Sequence, residues 1–151
     1  MKEKMSNSLD DLYRQVILDH YQSPHNRGRL ADPEVANRGR NPLCGDDVEI
    51  SASIVNGMVD DVRFVGRGCS ISQASASMLT DLVKGKSLDE ARQLVEGFKQ
   101  MMRGEPVGDL DLSDVEALSG VRKFPVRVKC AMLAWTTFEE GINTYAAGHG
   151  G

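Results

Sequence analysis

The sequence predicts an α+β fold, in which a small antiparallel sheet of about three strands packs against helices. Asn56-Gly57 separates two short runs rich in β-branched residues, and helical patterns lie before and after these runs. No internal repeat or linker interrupts the 151 residues. We therefore expect a single domain over residues 1–151, with an ordered core at 8–146 and a flexible glycine-rich tail at 147–151.

The composition argues against several classes of protein. Hydrophobic residues make up 40% and charged residues 26%, as in ordinary globular proteins. The formal net charge is −4 and no long run of Lys or Arg occurs, so we expect no nucleic-acid partner. The N-terminal residues include charges but no apolar stretch. The sequence therefore predicts neither a signal peptide nor a membrane span. We expect a cytoplasmic protein.

The first helix is predicted at Leu9 to Tyr21, where apolar residues recur at helical spacing. Ser8 and Asp11 form a plausible capping box before it. His20 lies near its C-terminal end, where an imidazolium suits the helix dipole. A histidine in such a position is more often structural than a metal ligand. The segment 23–28 contains Pro and Gly and ends the helix.

Three strands are predicted next, at about 35–40, 48–55 and 58–65. Asn-Gly between the last two runs is the strongest short hairpin signal, because both residues tolerate positive φ. An antiparallel hairpin returns its end to its start. Cys44, just before the hairpin, and Cys69, just after it, are therefore expected to lie close together.

The remaining chain is predicted to be mostly helical. Capping-box or glycine signals mark most of the ends of these helices. The elements expected are a helix over 70–84, a helix opened by Ser87 and Glu90 and stopped by Gly104 and Pro106, a short helix capped by Ser113 and Glu116 and ending at Gly120, an extended segment over 124–129, and a last helix over 130–146.

The segment Cys44-Gly45-Asp46 is the strongest candidate for chemistry. It places a soft thiolate donor and a hard carboxylate donor two residues apart, around a glycine that can take positive φ. With Cys69 and Cys130, three sulfurs and one carboxylate make a complete tetrahedral set for zinc. The alternative is that Asp46 caps a turn and the cysteines are small buried apolar residues.

Cys69 and Cys130 are both predicted at helix N-termini. There the unsatisfied N–H groups and the dipole favour the thiolate over the thiol. Arg67, Arg127 and Lys129 add positive charge nearby in the sequence. A thiolate is both the form that binds metal and the form that attacks sulfur, so the residues alone leave the two uses open.

Four segments of the chain resemble the IscU/SufU family of iron–sulfur assembly proteins. They are Leu12 to Tyr21 (LYRQVILDHY), Cys44-Gly45-Asp46, Gly68-Cys69-Ser70-Ile71-Ser72 and Lys129-Cys130-Ala131. The resemblance extends from about Leu9 to Tyr145, and three cysteine motifs in the right order make it specific.

Within that family the sequence is similar to the SufU branch. IscU-type scaffolds carry a histidine where Lys129 stands, and they lack the segment of about Gly97 to Val121. Phe124-Pro125-Val126-Arg127 also differs from their chaperone-recognition motif, so the resemblance does not extend to chaperone-driven cluster release.

The resemblance implies a zinc ion held by Cys44, Asp46, Cys69 and Cys130. It also implies that Cys44 accepts persulfide sulfur from a SufS-type pyridoxal-phosphate cysteine desulfurase. The placement of Cys44 suits this role, because it lies on a predicted loop and a glycine follows it. Zinc would keep the sulfur of Cys44 deprotonated but masked until the partner displaces it.

The leading hypothesis is a zinc-dependent sulfurtransferase that serves iron–sulfur cluster assembly. The alternative is a scaffold or carrier that assembles and transfers a transient [2Fe–2S] cluster on the same cysteines; Lys129 argues against it, since it offers no imidazole. A purely structural zinc module usually has C-x-x-C ligand pairs, and none occurs here. A cysteine hydrolase would need a histidine beside its cysteine, and nothing in this sequence places one there. The sequence assigns no role to His20, His25, Arg127 or Lys129.

Overall fold

The computed structural model describes the backbone of residues 2–148 and the side chains of residues 11–148. Its elements confirm the predicted α+β class. In chain order they are α1 (Lys2–Gln22), β1 (Val35–Asn41), β2 (Asp46–Val55), β3 (Met58–Arg67), α2 (Ser70–Val83), α3 (Leu88–Met102), a 3₁₀ helix (Ser113–Lys123) and α4 (Pro125–Gly148).

The three strands form one antiparallel sheet in the order β1-β2-β3. The predicted hairpin between β2 and β3 is confirmed, with φ of 52° at Asn56 and 76° at Gly57. Its register pairs Ile50 with Phe64, and a bulge interrupts it between Ser53 and Ile54. β1, predicted as an edge strand, pairs with β2 along its whole length.

One face of the sheet is buried and forms the core with the helices. The alternating β2 residues predicted to share this face are all buried, as expected for period-2 patterning: Val48, Ile50, Ala52 and Ile54. Trp135 of α4 stacks on Phe98 of α3 with ring centroids 4.1 Å apart. Its indole N–H donates to Ser75 Oγ at 2.8 Å, so the small residues of α2 allow α4 to lie close.

The first helix starts earlier than predicted. α1 already includes Lys2, so Ser8 lies inside the helix and the predicted capping box of Ser8 and Asp11 is wrong. The physical reason is that Lys, Glu and Met are good helix formers and that no Pro or Gly stands between residues 2 and 8.

The central helices agree with the sequence pattern. The capping box at the start of α3 is confirmed: Glu90 N–H donates to Ser87 Oγ, and Ser87 N–H donates to Glu90 Oε1, both at 3.1 Å.

The cap predicted at Ser113 is wrong. The 3₁₀ helix has Leu112 at its N-cap, without a side-chain cap hydrogen bond, and continues past Gly120 to Lys123.

The last helix also starts earlier than predicted. α4 begins at Pro125, so 125–129 is helical rather than extended, and Cys130 is not at the N-terminus. Proline is well tolerated at the first helical position, where its missing N–H would have no intrahelical partner. Only Phe124, which precedes it, is extended. At the other end α4 continues to Gly148, while the predicted tail residues 149–151, including His149, lie outside the described residues.

Within residues 2–148, no helix combines the length and apolar character that a membrane span requires.

Replacing Gly39 by alanine is expected to destabilise the protein, because β1 and α4 touch there. An added Cβ would lie 2.1 Å from Thr137 Oγ1, which is buried and donates to the Leu133 carbonyl at 2.8 Å. Overpacking of this kind costs about 1–3 kcal/mol of folding stability.

Urea denaturation measures the difference in unfolding free energy between the Gly39 variant and the wild type. Gly120→Ala is the matched control, since nothing lies within 4 Å of its added Cβ. Equal stabilities of the two variants would contradict the close contact.

Candidate metal centre

Cys44 lies in a hairpin loop between β1 and β2. The loop, residues 42–45, is closed by the pairing of Asn41 with Asp46, and Cys44 N–H donates to the Asn41 carbonyl at 3.2 Å. Gly45 takes φ of 68°, as a left-handed turn residue between Cys44 and Asp46 requires. The thiol of Cys44 is half-buried, on the most exposed of the segments that build the site.

Cys69 is the N-cap of α2, as predicted, and Asp46 holds it in place. Cys69 N–H donates to Asp46 Oδ1 at 2.9 Å, and Asp46 Oδ2 lies 3.9 Å from Cys69 Sγ. Gly68 makes this approach possible, because a Cβ there would lie 2.2 Å from Asp46 Oδ1. The carboxylate is buried, so it reaches the helix start without a water layer.

Cys130 lies in the second turn of α4 and is completely buried. Its Sγ is 3.6 Å from the Val126 carbonyl and 3.7 Å from the side-chain nitrogen of Asn41. The Asn41 contact brings the thiol next to the end of β1, where the loop between β1 and β2 begins.

The four residues predicted as metal ligands come from the loop, the start of β2, the start of α2 and the interior of α4. The donor atoms of Cys44, Asp46 and Cys130 all lie within 4.8 Å of one another. Cys69 adjoins this group through its contact with the Asp46 carboxylate. Three thiols and one carboxylate in this arrangement fit a tetrahedral zinc ion by donor type and number.

The electrostatics at Cys130 differ from the prediction made for a helix N-terminus. Burial raises the pKa of the Cys130 thiol well above its usual range, and the neighbouring Cys44, Asp46 and Cys69 raise it further. Without metal, Cys130 is therefore a thiol, and metal binding there must release a proton. Cys69 and, less strongly, Cys130 raise the pKa of the Arg127 guanidinium, which places that cation beside both sulfurs.

Asn41 is the site residue that sequence reasoning missed. Its contact with Cys130 depends on the pairing of β1 with β2 and on the position of α4, neither of which a local pattern encodes. Lys129 is exposed beside the buried Cys130. His20 and His25 do not join the cysteines; they meet each other elsewhere, at the C-terminal end of α1.

Comparison with known proteins identifies the family of this chain. Residues 12–150 match the family described as the NifU-like N terminal domain. The chain belongs to this family. Within it, the protein is 48% identical over 136 residues to the zinc-dependent sulfurtransferase SufU of Bacillus subtilis (strain 168), covering 89% of this chain and 92% of that protein.

Other similar proteins bear a different name. The protein is 40% identical to the iron–sulfur cluster assembly scaffold protein IscU of Streptococcus pyogenes serotype M1, covering 93% of this chain and 88% of that protein. Its fold matches a crystal structure from Fervidobacterium islandicum AW-1, described as a scaffold protein for the SUF system. That match has a TM-score of 0.81 and 30% identity, and covers 84% of this chain and 93% of the other.

Proposed function

We propose that this protein serves iron–sulfur cluster assembly as a zinc-dependent sulfurtransferase, with Cys44 as the acceptor of persulfide sulfur. The observation that carries the proposal is the convergence of the Cys44, Asp46 and Cys130 donor atoms within 4.8 Å, with Cys69 beside them. A relative of 48% identity is named as such an enzyme, which supports the same activity here.

Among the three thiols, Cys44 lies on the segment that a partner protein can reach most directly. Cys130 is fully buried, and Cys69 is held by its backbone bond to Asp46 and by its cap contact with Ser72 N–H. Cys44 instead follows Leu43, whose 71% exposure shows that this loop faces solvent. A partner protein can therefore approach Cys44 without unfolding a helix.

The proposed step is a thiol–disulfide type exchange with a persulfide of the partner. The Cys44 thiolate attacks the terminal sulfur of that persulfide, a new S–S bond forms on Cys44, and the old S–S bond breaks. The partner's cysteine leaves as a thiolate and takes up a proton. One sulfur atom moves between two cysteines, so no external oxidant or reductant is consumed. A SufS-type pyridoxal-phosphate cysteine desulfurase is the partner that generates such a persulfide.

Zinc would be held by Cys44, Asp46, Cys69 and Cys130. When bound, it keeps thiolate sulfur deprotonated and shields it from unwanted oxidation. The high pKa of the Cys130 thiol gives this a structural reason, because burial alone would leave that sulfur protonated. Arg127, beside Cys69 and Cys130, offers a positive charge that offsets the negative charge of the thiolates.

The second candidate function is a scaffold on which a [2Fe–2S] cluster is assembled and transferred. The 40% identity to a protein named as an IscU scaffold favours it. The same thiols would then bind iron rather than zinc. Lys129, exposed next to Cys130, supplies no imidazole at this position.

Metal analysis and desulfurase kinetics are expected to distinguish the two functions. The sulfurtransferase should purify colourless with zinc at the thiolate site, and it should raise the rate at which a cysteine desulfurase turns over cysteine. Zinc is expected because a Cys₃Asp set with no open position favours it over iron. A brown protein that keeps a [2Fe–2S] cluster after aerobic purification, without any stimulation of the desulfurase, would support the scaffold instead.

A further inference from the structure

A second cluster of metal-ligating side chains lies away from the cysteines. His20, His25 and Asp81 each provide one donor atom, and these three atoms lie within 4.8 Å of one another. The two imidazole rings approach to 4.4 Å between centroids, and His25 Nδ1 hydrogen-bonds to Asp81 Oδ2. Asn26 donates from its side chain to Asp81 Oδ1 at 3.0 Å, which orients the carboxylate toward the histidines.

Hydrogen bonds fix the tautomer of His20. Its Nε2 lies 3.0 Å from Asp114 Oδ2, and a carboxylate only accepts, so Nε2 carries the proton. Its Nδ1 lies 2.7 Å from Ser77 Oγ, which already accepts the His25 backbone N–H at 2.8 Å. In the neutral ring Nδ1 then carries the lone pair, so the Ser77 hydroxyl donates to it. His20 is left with a lone pair on Nδ1 and a carboxylate behind Nε2, the pattern of a metal-ligating histidine with an orienting carboxylate.

An acidic cleft leads to this cluster. It has a volume of about 440 Å³ and lies between α2, α3 and the segment around the 3₁₀ helix, with His20 and Asp81 in its wall. Four carboxylates line it, against one lysine, Lys86: Asp81, Glu90, Asp111 and Asp114. A concave wall with this balance of charge concentrates cations. It gives an ion a path from solvent to the buried His20.

We propose that His20, His25 and Asp81 form a second metal site for a divalent transition-metal ion such as zinc. Imidazole donors favour zinc, nickel or copper over magnesium and calcium, which prefer oxygen ligands alone. The ion takes the place of the Ser77 hydroxyl at His20 Nδ1, and Asp114 keeps the ring oriented.

This site is separate from the thiolate centre. Ser77 follows Cys69 by eight residues along α2, which corresponds to about 12 Å at about 1.5 Å per residue. An ion there ties the C-terminal end of α1 and the segment after it to the C-terminal end of α2. The proposal of this second site therefore does not depend on which metal the cysteines bind.

Zinc binding by the full-length chain and two variants tests the proposal. His25→Gln and Asp81→Asn each remove one donor at a partly exposed position, so neither change opens a cavity in the core. After dialysis against excess zinc, we expect the wild type to hold one more zinc ion per chain than either variant. Asp89→Asn, with a side chain that is 91% exposed, is the matched control and should equal the wild type.

Cobalt substitution separates the two sites in the same samples. Thiolate-to-cobalt absorption reports the cysteines, and it should be equal in the wild type and both variants, while the total cobalt falls by one ion per chain in the variants. Equal metal content in the wild type, His25→Gln and Asp81→Asn would overturn the second site. A loss of the thiolate absorption in both variants would overturn it too, because the missing ion would then belong to the cysteines.

Discussion

If the proposed function is right, Cys44→Ser is expected to abolish the transfer of persulfide sulfur from a cysteine desulfurase to this protein. Serine is nearly isosteric but offers a hydroxyl oxygen in place of the thiolate sulfur that attacks the persulfide, so no S–S bond can form at residue 44. The loop keeps its closure, because the bond from residue 44 to the Asn41 carbonyl is made by the backbone N–H. We expect the loss of transferred sulfur to be complete in a chain that is still folded at room temperature, although the missing thiolate lowers its melting temperature.

Mass spectrometry after incubation with the desulfurase and cysteine measures this. The wild type should gain one sulfur atom on the peptide that contains Cys44, and Cys44→Ser should gain none. Leu43→Ala is the matched control in the same exposed loop, since it changes a neighbouring side chain that is 71% exposed but leaves the thiol in place. Sulfur found on Cys69 or Cys130, together with transfer by Cys44→Ser, would show that the roles of the cysteines are assigned wrongly.

The sheet was predictable because its signals are local. Asn56-Gly57 sets the turn by its own backbone preferences, and the alternation from Val48 to Ile54 sets the buried face. The proximity of Cys44 and Asp46 follows from their spacing alone. The N-cap position of Cys69 follows from the end of β3 and the start of α2.

The ends of the helices were less predictable, because the same residue suits two structures. Pro125 fits an extended segment and equally the first position of a helix, and only the packing of α4 against α2 and the sheet decides between them. This choice moved Cys130 from a helix start into a buried second turn, which reversed the expected direction of its pKa. The pKa of a thiol depends on how deeply tertiary packing buries it, and a local sequence pattern does not predict that burial.

The cluster of His20, His25 and Asp81 was not predictable, since its contacts join distant parts of the chain. His20 meets Ser77, 57 residues later, and Asp114, 94 residues later. The sequence offered a histidine near the C-terminal end of a helix, which is an ordinary structural position. Only the docking of α1 on α2 and the 3₁₀ helix gives that histidine a serine on one nitrogen and a carboxylate on the other.

Loss of a cysteine from the metal centre is expected to remove zinc and lower the melting temperature, whereas loss of the Asp46 charge should not. Each thiolate contributes a strong bond, and metal binding free energy is also folding free energy. A ligand present at about 1,000 times its Kd stabilises by about 4 kcal/mol. In a protein of this size that corresponds to about 8–16 °C, at about 2–4 °C per kcal/mol. We expect a decrease of this order for Cys69→Ala and Cys130→Ala.

As a zinc ligand, Asp46 would be more exchangeable than the cysteines, since a carboxylate is a harder donor than sulfur and water can replace it at zinc. The Asp46 carboxylate also stabilises the start of α2, because its Oδ1 accepts the Cys69 N–H at 2.9 Å. Asp46→Asn retains an oxygen for that hydrogen bond and removes only the charge, while Asp46→Ala removes both. We expect both variants to keep most of their zinc with altered sulfur transfer, and Asp46→Ala to melt earlier than Asp46→Asn by the loss of one buried hydrogen bond, about 1–3 kcal/mol.

Metal analysis and melting curves with and without a chelator measure these differences. The chelator should lower the melting temperature of the wild type to near that of Cys69→Ala, and it should leave Cys69→Ala almost unchanged, because that variant has no zinc to lose at the thiolates. Adding the chelator to Asp46→Asn should produce most of the wild-type decrease. If Asp46→Asn is instead as zinc-free and as unstable as Cys69→Ala, the carboxylate holds the ion as firmly as a thiolate does. Opening of the site for sulfur transfer would then have to begin at Cys44 itself, the one donor on a solvent-facing loop among the four.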